Sequence, residues 1–204
     1  MIVYVESNFV LELALSQEET DSAKAIIDLG KAHRIELVVP AFALVEPFWT
    51  MAGRKRNWRE TIKELNHHRD DLNRSSDRKA LADLLGGFIQ GASYYEEFEE
   101  ESLENVVFDL LQSATILPIE QDVIQDALHQ RRTTDLEMPD SIVLASILQH
   151  LESALSRSES VFVTKDRKDF GDPVMKETLR QFGCTLVTNF RDGLQMIRSR
   201  LEPK

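Results

Sequence analysis

The stretch Ile2-Val3-Tyr4-Val5-Glu6-Ser7-Asn8 sets the expected fold of this chain. Its four leading residues are apolar and mostly β-branched, without polar alternation, which is typical of a parallel strand covered on both faces. Comparable runs recur, and the predicted strands are Ile2–Val5, 36–39, Thr115–Leu117, 160–164 and 185–188. Because helical patterns separate these runs, the sequence predicts an α/β sandwich around a mostly parallel sheet.

The helical patterns are identified by apolar residues at helical spacing. A capping box formed by Ser16 and Glu19 is expected to open the second helix. The predicted helices are 9–15, a segment after Ser16 that carries Ala23, Ile26, Ile27 and Gly30, and then 40–51, 121–132, 139–155, 173–182 and Phe190–Leu201.

Residues 53–114 interrupt the alternation because they contain no strand pattern. We interpret them as a helical insertion within a single domain that spans residues 1–204. Three apolar stripes predict three helices in this segment. They run through Trp58, Ile62, Leu65 and Leu72, through Leu81, Leu84, Leu85, Phe88 and Ala92, and through Phe98, Val106, Val107, Leu110 and Leu111.

The insertion has a split charge. Residues 53–79 carry a net charge of +4 and residues 80–114 carry −8. Two solvated helix faces explain such a split. The alternative is functional: a basic arm would contact phosphates, and an acidic arm would face a basic partner. The basic arm is Arg54, Lys55, Arg56 and Arg59, and the acidic arm is Glu96, Glu97, Glu99, Glu100 and Glu101.

The composition is that of a folded, soluble protein. The 204 residues are 42% hydrophobic and 29% charged, which fits one globular domain. A formal net charge of −11 argues against a DNA-binding module held by bulk charge. The single cysteine, Cys184, cannot form an internal disulfide, the opening segment lacks a basic n-region, and the apolar runs are too short to span a bilayer. We therefore expect a cytoplasmic protein without a membrane segment.

Several common catalytic sites are absent from the sequence. It has no P-loop, no G-x-G-x-x-G after the first strand and no G-x-S-x-G elbow. His67 and His68 are adjacent, so their side chains point in different directions on a helix and do not suit a paired metal site.

Acidic residues occur where ligands bind in a parallel sheet. Glu6 follows the first strand, Asp166 and Asp169 follow the fourth, Asp140 opens a helix, and Glu46 lies in an apolar run. Ligands bind beyond the carboxyl ends of such strands, where the strand order reverses. Carboxylates gathered there repel one another unless a cation is bound, and oxygen ligands suit Mg²⁺ or Mn²⁺. Singly, these acids also suit helix caps, turns and solvated strand ends.

Four segments follow one another in a recognisable order. They are Val5-Glu6-Ser7-Asn8, Glu46 in its apolar helix, Pro139-Asp140-Ser141-Ile142-Val143-Leu144-Ala145, and Val163-Thr164-Lys165-Asp166 with Asp169-Phe170. Together they resemble the PIN domain. The resemblance implies a three-layer α/β/α sandwich with a mostly parallel five-stranded sheet. It also implies a metal-dependent endoribonuclease, as in the toxins of many bacterial toxin–antitoxin pairs, that leaves a 5′-phosphate and a 3′-hydroxyl.

The resemblance also assigns roles by position. Catalytic, metal-binding acids would be Glu6, Glu46, Asp140, Asp166 and Asp169, supported by Ser7, Asn8 and Thr164. Substrate binding by the basic arm is expected from the charge split and is not part of the resemblance. The family usually has Asp at the position of Glu6. Pro47 removes a helix hydrogen bond and is expected to kink the helix that presents Glu46.

Three functions remain open from the sequence. The first is the endoribonuclease, with Mg²⁺ or Mn²⁺ as cofactor, RNA as substrate, an antitoxin or other protein as candidate partner, and a homodimer as the expected assembly. The second is a catalytically weakened PIN fold that binds RNA or protein through 53–114. The third is another metal-dependent phosphoryl-transfer protein, which ranks last because Glu6-Ser7-Asn8 offers no D-x-D pair and Pro118-Ile119-Glu120 offers no acceptor Asp.

Overall fold

The computed structural model describes residues 1–153 and 159–202, without the side chains of 95–97. All five predicted strands are confirmed to within one residue at each end. In chain order the elements are β1 (Ile2–Val5), α1 (Ser7–Ala14), α2 (Thr20–Lys31), β2 (Glu36–Pro40), α3 (Ala41–Asn73), α4 (Lys79–Ser113), β3 (Thr115–Leu117), α5 (Gln121–Thr133), α6 (Met138–Ser153), β4 (Ser160–Val163), α7 (Pro173–Gln181), β5 (Cys184–Val187) and α8 (Phe190–Leu201).

The five strands form one parallel sheet in the order β3-β2-β1-β4-β5. In the central strand, Tyr4 is in register with Val38 of β2 on one side and with Phe162 of β4 on the other. The chain moves outward from β1 through β2 and β3, and it then returns to the opposite side of β1 at β4. The strand order therefore reverses between β1 and β4, and the crevice beyond their carboxyl ends is where such a fold binds ligands.

Helices cover both faces of the sheet and confirm the three-layer α/β/α sandwich. One core joins Val5 and Val163 to α1, α2 and α8, and the other joins Tyr4 and Phe162 to α6 and α7. Helix α5 packs on α6 through a third small cluster. Every residue of β1 is 5% exposed or less, which explains its unbroken apolar run. Among the described residues, no helix is long and apolar enough to span a membrane.

The predicted capping box is wrong. Helix α2 begins at Thr20, and Ser16 adopts a positive φ of 48° before it. The Glu19 carboxylate does not cap its own helix. It accepts a hydrogen bond of 2.7 Å from the backbone N–H of Phe190, at the start of α8. A contact across the fold therefore replaces the expected local one.

The helices of 40–114 are longer and fewer than predicted. Helix α3 continues through Pro47 for 33 residues, and α4 is one helix of 35 residues in place of two. A single glycine, Gly53, lies between the two predicted segments of α3, and one glycine costs a helix only about 1 kcal/mol. The described part of α6 ends at Ser153, so the rest of the helix predicted to residue 155 lies outside the described residues.

Helices α3 and α4 form an antiparallel hairpin. Near the sheet, Ala43 and Leu44 of α3 and Leu103 and Leu110 of α4 belong to the buried core. Towards the end of the hairpin that is away from this core, the ion pairs Arg54–Glu99 and Lys55–Glu100 join the two helices. The base of the hairpin is therefore part of the sandwich, and its boundary as an insertion at 53–114 stays a prediction.

Candidate active site

Glu6 lies at the carboxyl end of β1 and is almost completely buried, with 3% of its surface exposed. It is the N-cap of α1, and its Oε2 accepts hydrogen bonds from the backbone N–H of Asn8 at 2.7 Å and from the Ser7 hydroxyl at 3.0 Å. Its Oε1 accepts a hydrogen bond of 2.9 Å from the hydroxyl of Thr164, directly after β4. The side chain therefore bridges the two strands at the point where the strand order reverses.

The turn after β4 continues this hydrogen-bond chain. The Thr164 hydroxyl accepts a bond of 2.8 Å from the backbone N–H of Asp166. Oδ1 of Asp166 then accepts bonds from the backbone N–H groups of Lys168 at 3.0 Å and Asp169 at 2.9 Å. The local sequence favours this geometry, because Asp side chains often bond to backbone groups two or three residues ahead. The positions of Asp166 and Asp169 are thereby tied to Glu6.

Asp140 faces this turn from the first turn of α6. The pKa of its half-buried carboxyl is raised to about 7, first by burial and then by the negative charges of Asp169, Asp166 and Glu46. The pKa of Asp169 is raised for the same reasons, burial first and then the charge of Asp166. The structure therefore brings four acids from α3, α6 and the β4 turn into electrostatic range of one another.

Glu6 is electrostatically linked to the same group. Burial raises the pKa of its carboxyl to about 7, although three hydrogen-bond donors hold the ionised form, and the charge of Asp166 adds to the increase. Oε2 has both lone pairs engaged, whereas Oε1 accepts one described bond and keeps one lone pair. Glu6 can thus offer at most one oxygen to a ligand without giving up a hydrogen bond.

The acids of the site offer oxygen ligands to a divalent cation. Over residues 1–153 and 159–202, no three His, Cys, Asp or Glu side chains lie close enough together to hold a metal ion as they stand. The available ligands are nevertheless carboxylate oxygens, which suit Mg²⁺ or Mn²⁺, and burial followed by neighbouring negative charge raises the pKa values of Asp140 and Asp169. Glu46 is half-buried and makes no hydrogen bond or ion pair with any described residue, so its carboxylate is available. The chemistry of these side chains therefore fits a hard cation.

The basic arm lies away from the carboxylates. Arg54 and Lys55 form ion pairs with Glu99 at 3.8 Å and Glu100 at 2.7 Å on α4. At 1.5 Å per residue, Arg54 is about 12 Å farther along α3 than Glu46. The hydrogen bond and charge of Lys55 lower the pKa of Glu100, and the charge of Arg59 adds to this effect. The side chains of Glu96 and Glu97 lie outside the described residues. Substrate binding by Arg54, Lys55, Arg56 and Arg59 stays a prediction.

The structure contains an ion pair beside the site that the sequence patterns did not predict. Glu12 of α1 is fully buried and accepts a hydrogen bond of 2.8 Å from Nζ of Lys165, which lies between Thr164 and Asp166. Its other oxygen accepts a bond from the backbone N–H of Glu19. The signal was present, since Glu12 is a carboxylate within an apolar helical run, as Glu46 is. Its partner lies 153 residues away and could not be identified locally.

The fold and the acids together define a parallel α/β/α protein with carboxylates at the carboxyl ends of its two central strands. The sequence profile of the family described as "PIN domain" matches residues 3–170, so the chain belongs to the PIN-domain family.

Two solved structures resemble the chain at low identity. One is a toxin–antitoxin complex from Klebsiella pneumoniae, with 16% identity and a TM-score of 0.43 over 84% of this chain and 92% of that chain. The other is VapBC2 from Rickettsia felis bound to a DNA fragment from its promoter, with 9% identity and a TM-score of 0.43 over 92% of this chain and 98% of that chain. A search of curated proteins finds no match.

Proposed function

We propose that this protein is a metal-dependent endoribonuclease that hydrolyses RNA phosphodiester bonds. The observation that carries the proposal is the convergence of four acids from α3, α6 and the β4 turn, where burial and then the neighbouring charges raise the pKa of Asp140 to about 7. Acids that repel one another in a cleft are characteristic of functional sites. Membership of the PIN-domain family supports the same activity, because many of its members are Mg²⁺- or Mn²⁺-dependent endoribonucleases.

The proposal divides the acids by role. Asp140, Asp166, Asp169 and Glu46 would hold Mg²⁺ or Mn²⁺. Glu6 would offer the same metal the remaining lone pair of its Oε1, while its hydrogen bonds hold Thr164 and the β4 turn in position. A bound divalent cation lowers the pKa of a coordinated water and neutralises charge that develops on the phosphodiester oxygens. The expected products carry a 5′-phosphate and a 3′-hydroxyl.

Cleavage of end-labelled single-stranded RNA tests the proposal. We expect the wild type to cut with Mn²⁺ or Mg²⁺ and not with EDTA, and Asp140→Asn to lose about 100-fold or more in rate. Asp21→Asn is the matched control, because Asp21 also lies in the first turn of a helix but is exposed and outside the acid group. A wild type that cuts no RNA with either metal, or an Asp140→Asn protein that cuts equally well, would refute it.

The second candidate is a binding module, and the hairpin favours it. A groove of about 740 Å³ between α3 and α4 is lined by Phe48, Trp58 and Phe88. A protein such as an antitoxin, or a second copy of the chain, would be the ligand. Deleting 53–114 would remove Leu103 and Leu110 from the core, so Phe88→Ser is the better probe. If Phe88→Ser loses a binding partner and still cleaves RNA as the wild type does, both functions are supported. If the wild type cleaves no RNA but binds RNA or a protein partner, only the binding function remains.

A further inference from the structure

Helix α3 carries a stripe of three side chains beside the acids. Phe42, Glu46 and Trp49 are four and three residues apart, so they lie on one face of the helix. Phe42 packs against the buried clusters that include α6. The negative charge of Glu46 acts on Asp140, which also belongs to α6. This face of α3 is therefore directed towards α6, and Trp49 is its next position, about 4.5 Å beyond Glu46 along the axis.

Trp49 is held in place but remains accessible. Its ring meets that of Phe42 edge to face, with centroids 5.8 Å apart and an interplanar angle of 70°. The residue is nonetheless 62% exposed, which is unusual for the largest apolar side chain. The contact orders the indole at one side and leaves much of its surface open to a planar ligand.

The second tryptophan differs in its exposure and in its distance from the acids. Trp58 is half-buried within the hairpin, where it meets Phe88 edge to face at 6.2 Å. It is about 18 Å farther along α3 than Glu46. The chain has two tryptophans, so Trp49 is the one that adjoins the carboxylates.

Electrostatics make an uncharged contact valuable at this site. The protein has a formal net charge of −11 and carries its acids at the proposed cleavage point, so RNA is repelled at long range. Stacking of bases on aromatic rings does not depend on net charge, tolerates any base and requires an unpaired nucleotide. An exposed indole next to Glu46 supplies this kind of contact.

We infer that Trp49 stacks on an unpaired base of single-stranded RNA and positions the adjoining phosphodiester beside Glu46 and Asp140. This inference rests on the proposed nuclease function. It makes the protein selective for single-stranded over double-stranded RNA, because a paired base cannot reach the indole without leaving its own stack.

The two tryptophans provide a direct assay. The Trp58→Phe protein keeps Trp49 as its single tryptophan. The matched Trp49→Phe protein keeps Trp58. We expect a single-stranded RNA oligonucleotide, titrated in with Mg²⁺, to quench the emission of the first protein and not of the second. The same oligonucleotide as a duplex should quench neither.

Kinetics separate stacking from folding. Trp49→Ala should raise KM about 5- to 100-fold, change kcat less and leave the melting temperature unaltered, because the side chain is exposed. Trp49→Phe and Trp49→Tyr should restore most of the affinity, since their rings also stack.

The outcomes distinguish this inference from the function on which it rests. An active wild type with an unresponsive Trp49 and an unchanged KM in Trp49→Ala would overturn stacking and leave the nuclease. An inactive wild type whose Trp49 is quenched by single strands would overturn the nuclease and leave stacking. If the fluorescence emission of Trp49 shifts to the blue as the protein concentration rises and does not change when RNA is added, a second copy of the chain covers Trp49. That result would overturn stacking.

Discussion

Glu6 shows how one residue can be buried and still remain charged or exchange a proton. Three donors from Ser7, Asn8 and Thr164 surround a carboxyl whose pKa burial raises to about 7. The family usually has the shorter Asp here. The additional methylene gives the carboxylate a longer reach, and in this structure it meets both the α1 cap and the hydroxyl that follows β4.

Thr164 is the residue that joins Glu6 to the β4 turn, and its replacement tests this bridge. Thr164→Val removes the donor to Glu6 and the acceptor for the N–H of Asp166. We expect the free energy of unfolding to fall by about 1–3 kcal/mol, because buried polar groups lose their partners. Thr164→Ser, which keeps the hydroxyl, should lose less than about 1 kcal/mol. Urea denaturation measures both, and equal stability of Val and wild type would contradict the bridge.

Asp140 is expected to reduce stability in return for function. Burial and three neighbouring charges raise its pKa to about 7, so its ionised form is unfavourable at pH 8. Each pKa unit corresponds to about 1.4 kcal/mol, whereas an acid near a helix N-terminus gains about 0.3–1 kcal/mol. Asp140→Asn should therefore raise the melting temperature in EDTA at pH 8 while it abolishes cleavage. A lower melting temperature than that of Asp21→Asn would count against charge repulsion at this position.

At the scale of elements, the buried pair of Glu12 and Lys165 fastens α1 to the β4 turn. The two partners are not equivalent, because the Glu12 side chain is 0% exposed whereas that of Lys165 is 30% exposed. Lys165 can turn towards water when its partner is lost. Glu12 cannot, so it would remain as a buried charge.

This asymmetry gives a prediction for the two variants. Lys165→Met should cost about 3–5 kcal/mol at pH 8, as expected for a buried charge left alone, and Glu12→Gln should cost less. Urea denaturation at pH 8 measures both losses, and equal losses in the two variants would show that the pair is not asymmetric.

The elements differ in how far the sequence could predict them. The strands were predictable because each is a short run rich in Val, Ile or Leu, and in β1 every side chain is 5% exposed or less. The length of α4 was not predicted, because each of its two apolar stripes indicates a separate local helix. Residues 93–98 contain no Gly or Pro that would end a helix, and the two stripes therefore join. The capping box failed because Glu19 bonds to Phe190, far along the chain.

The same limit applies to the candidate site. The positions of the acids relative to strand ends could be predicted, because parallel strands place their carboxyl ends at one edge. The bond between Thr164 and Glu6 could not, since it spans 158 residues. The ion pairs between the two helices of the hairpin could not be predicted either, because they depend on the register of α3 against α4. This register brings Lys55 to Glu100.

At the scale of the whole molecule, stability should fall as the pH rises from about 5 to 8. The pKa values of Glu6 and Asp140 are raised to about 7 from 4.5 and 3.8, so between these values the folded state holds more protons than the unfolded state. The free energy of unfolding then decreases with pH, by up to about 1.4 kcal/mol per unit for each group.

Melting temperatures in EDTA across this pH range test the sign. The melting temperature of Asp140→Asn should fall less steeply with pH than that of the wild type, since one of the two titrating groups is gone. A wild-type melting temperature that rises with pH between 5 and 8 would show that these two carboxyls do not dominate the pH dependence.

The central claim is that the acids between α3, α6 and the β4 turn bind a divalent cation. Melting with and without millimolar Mn²⁺ at pH 7.5 tests it most directly. At about 100-fold excess over Kd, binding adds about 2.7 kcal/mol, or roughly 5–10 °C for a protein of this size. We expect this rise in the wild type and in Asp21→Asn, and we expect Asp140→Asn to lose it. The same melting temperature with and without Mn²⁺ in the wild type, or an undiminished rise in Asp140→Asn, would contradict it.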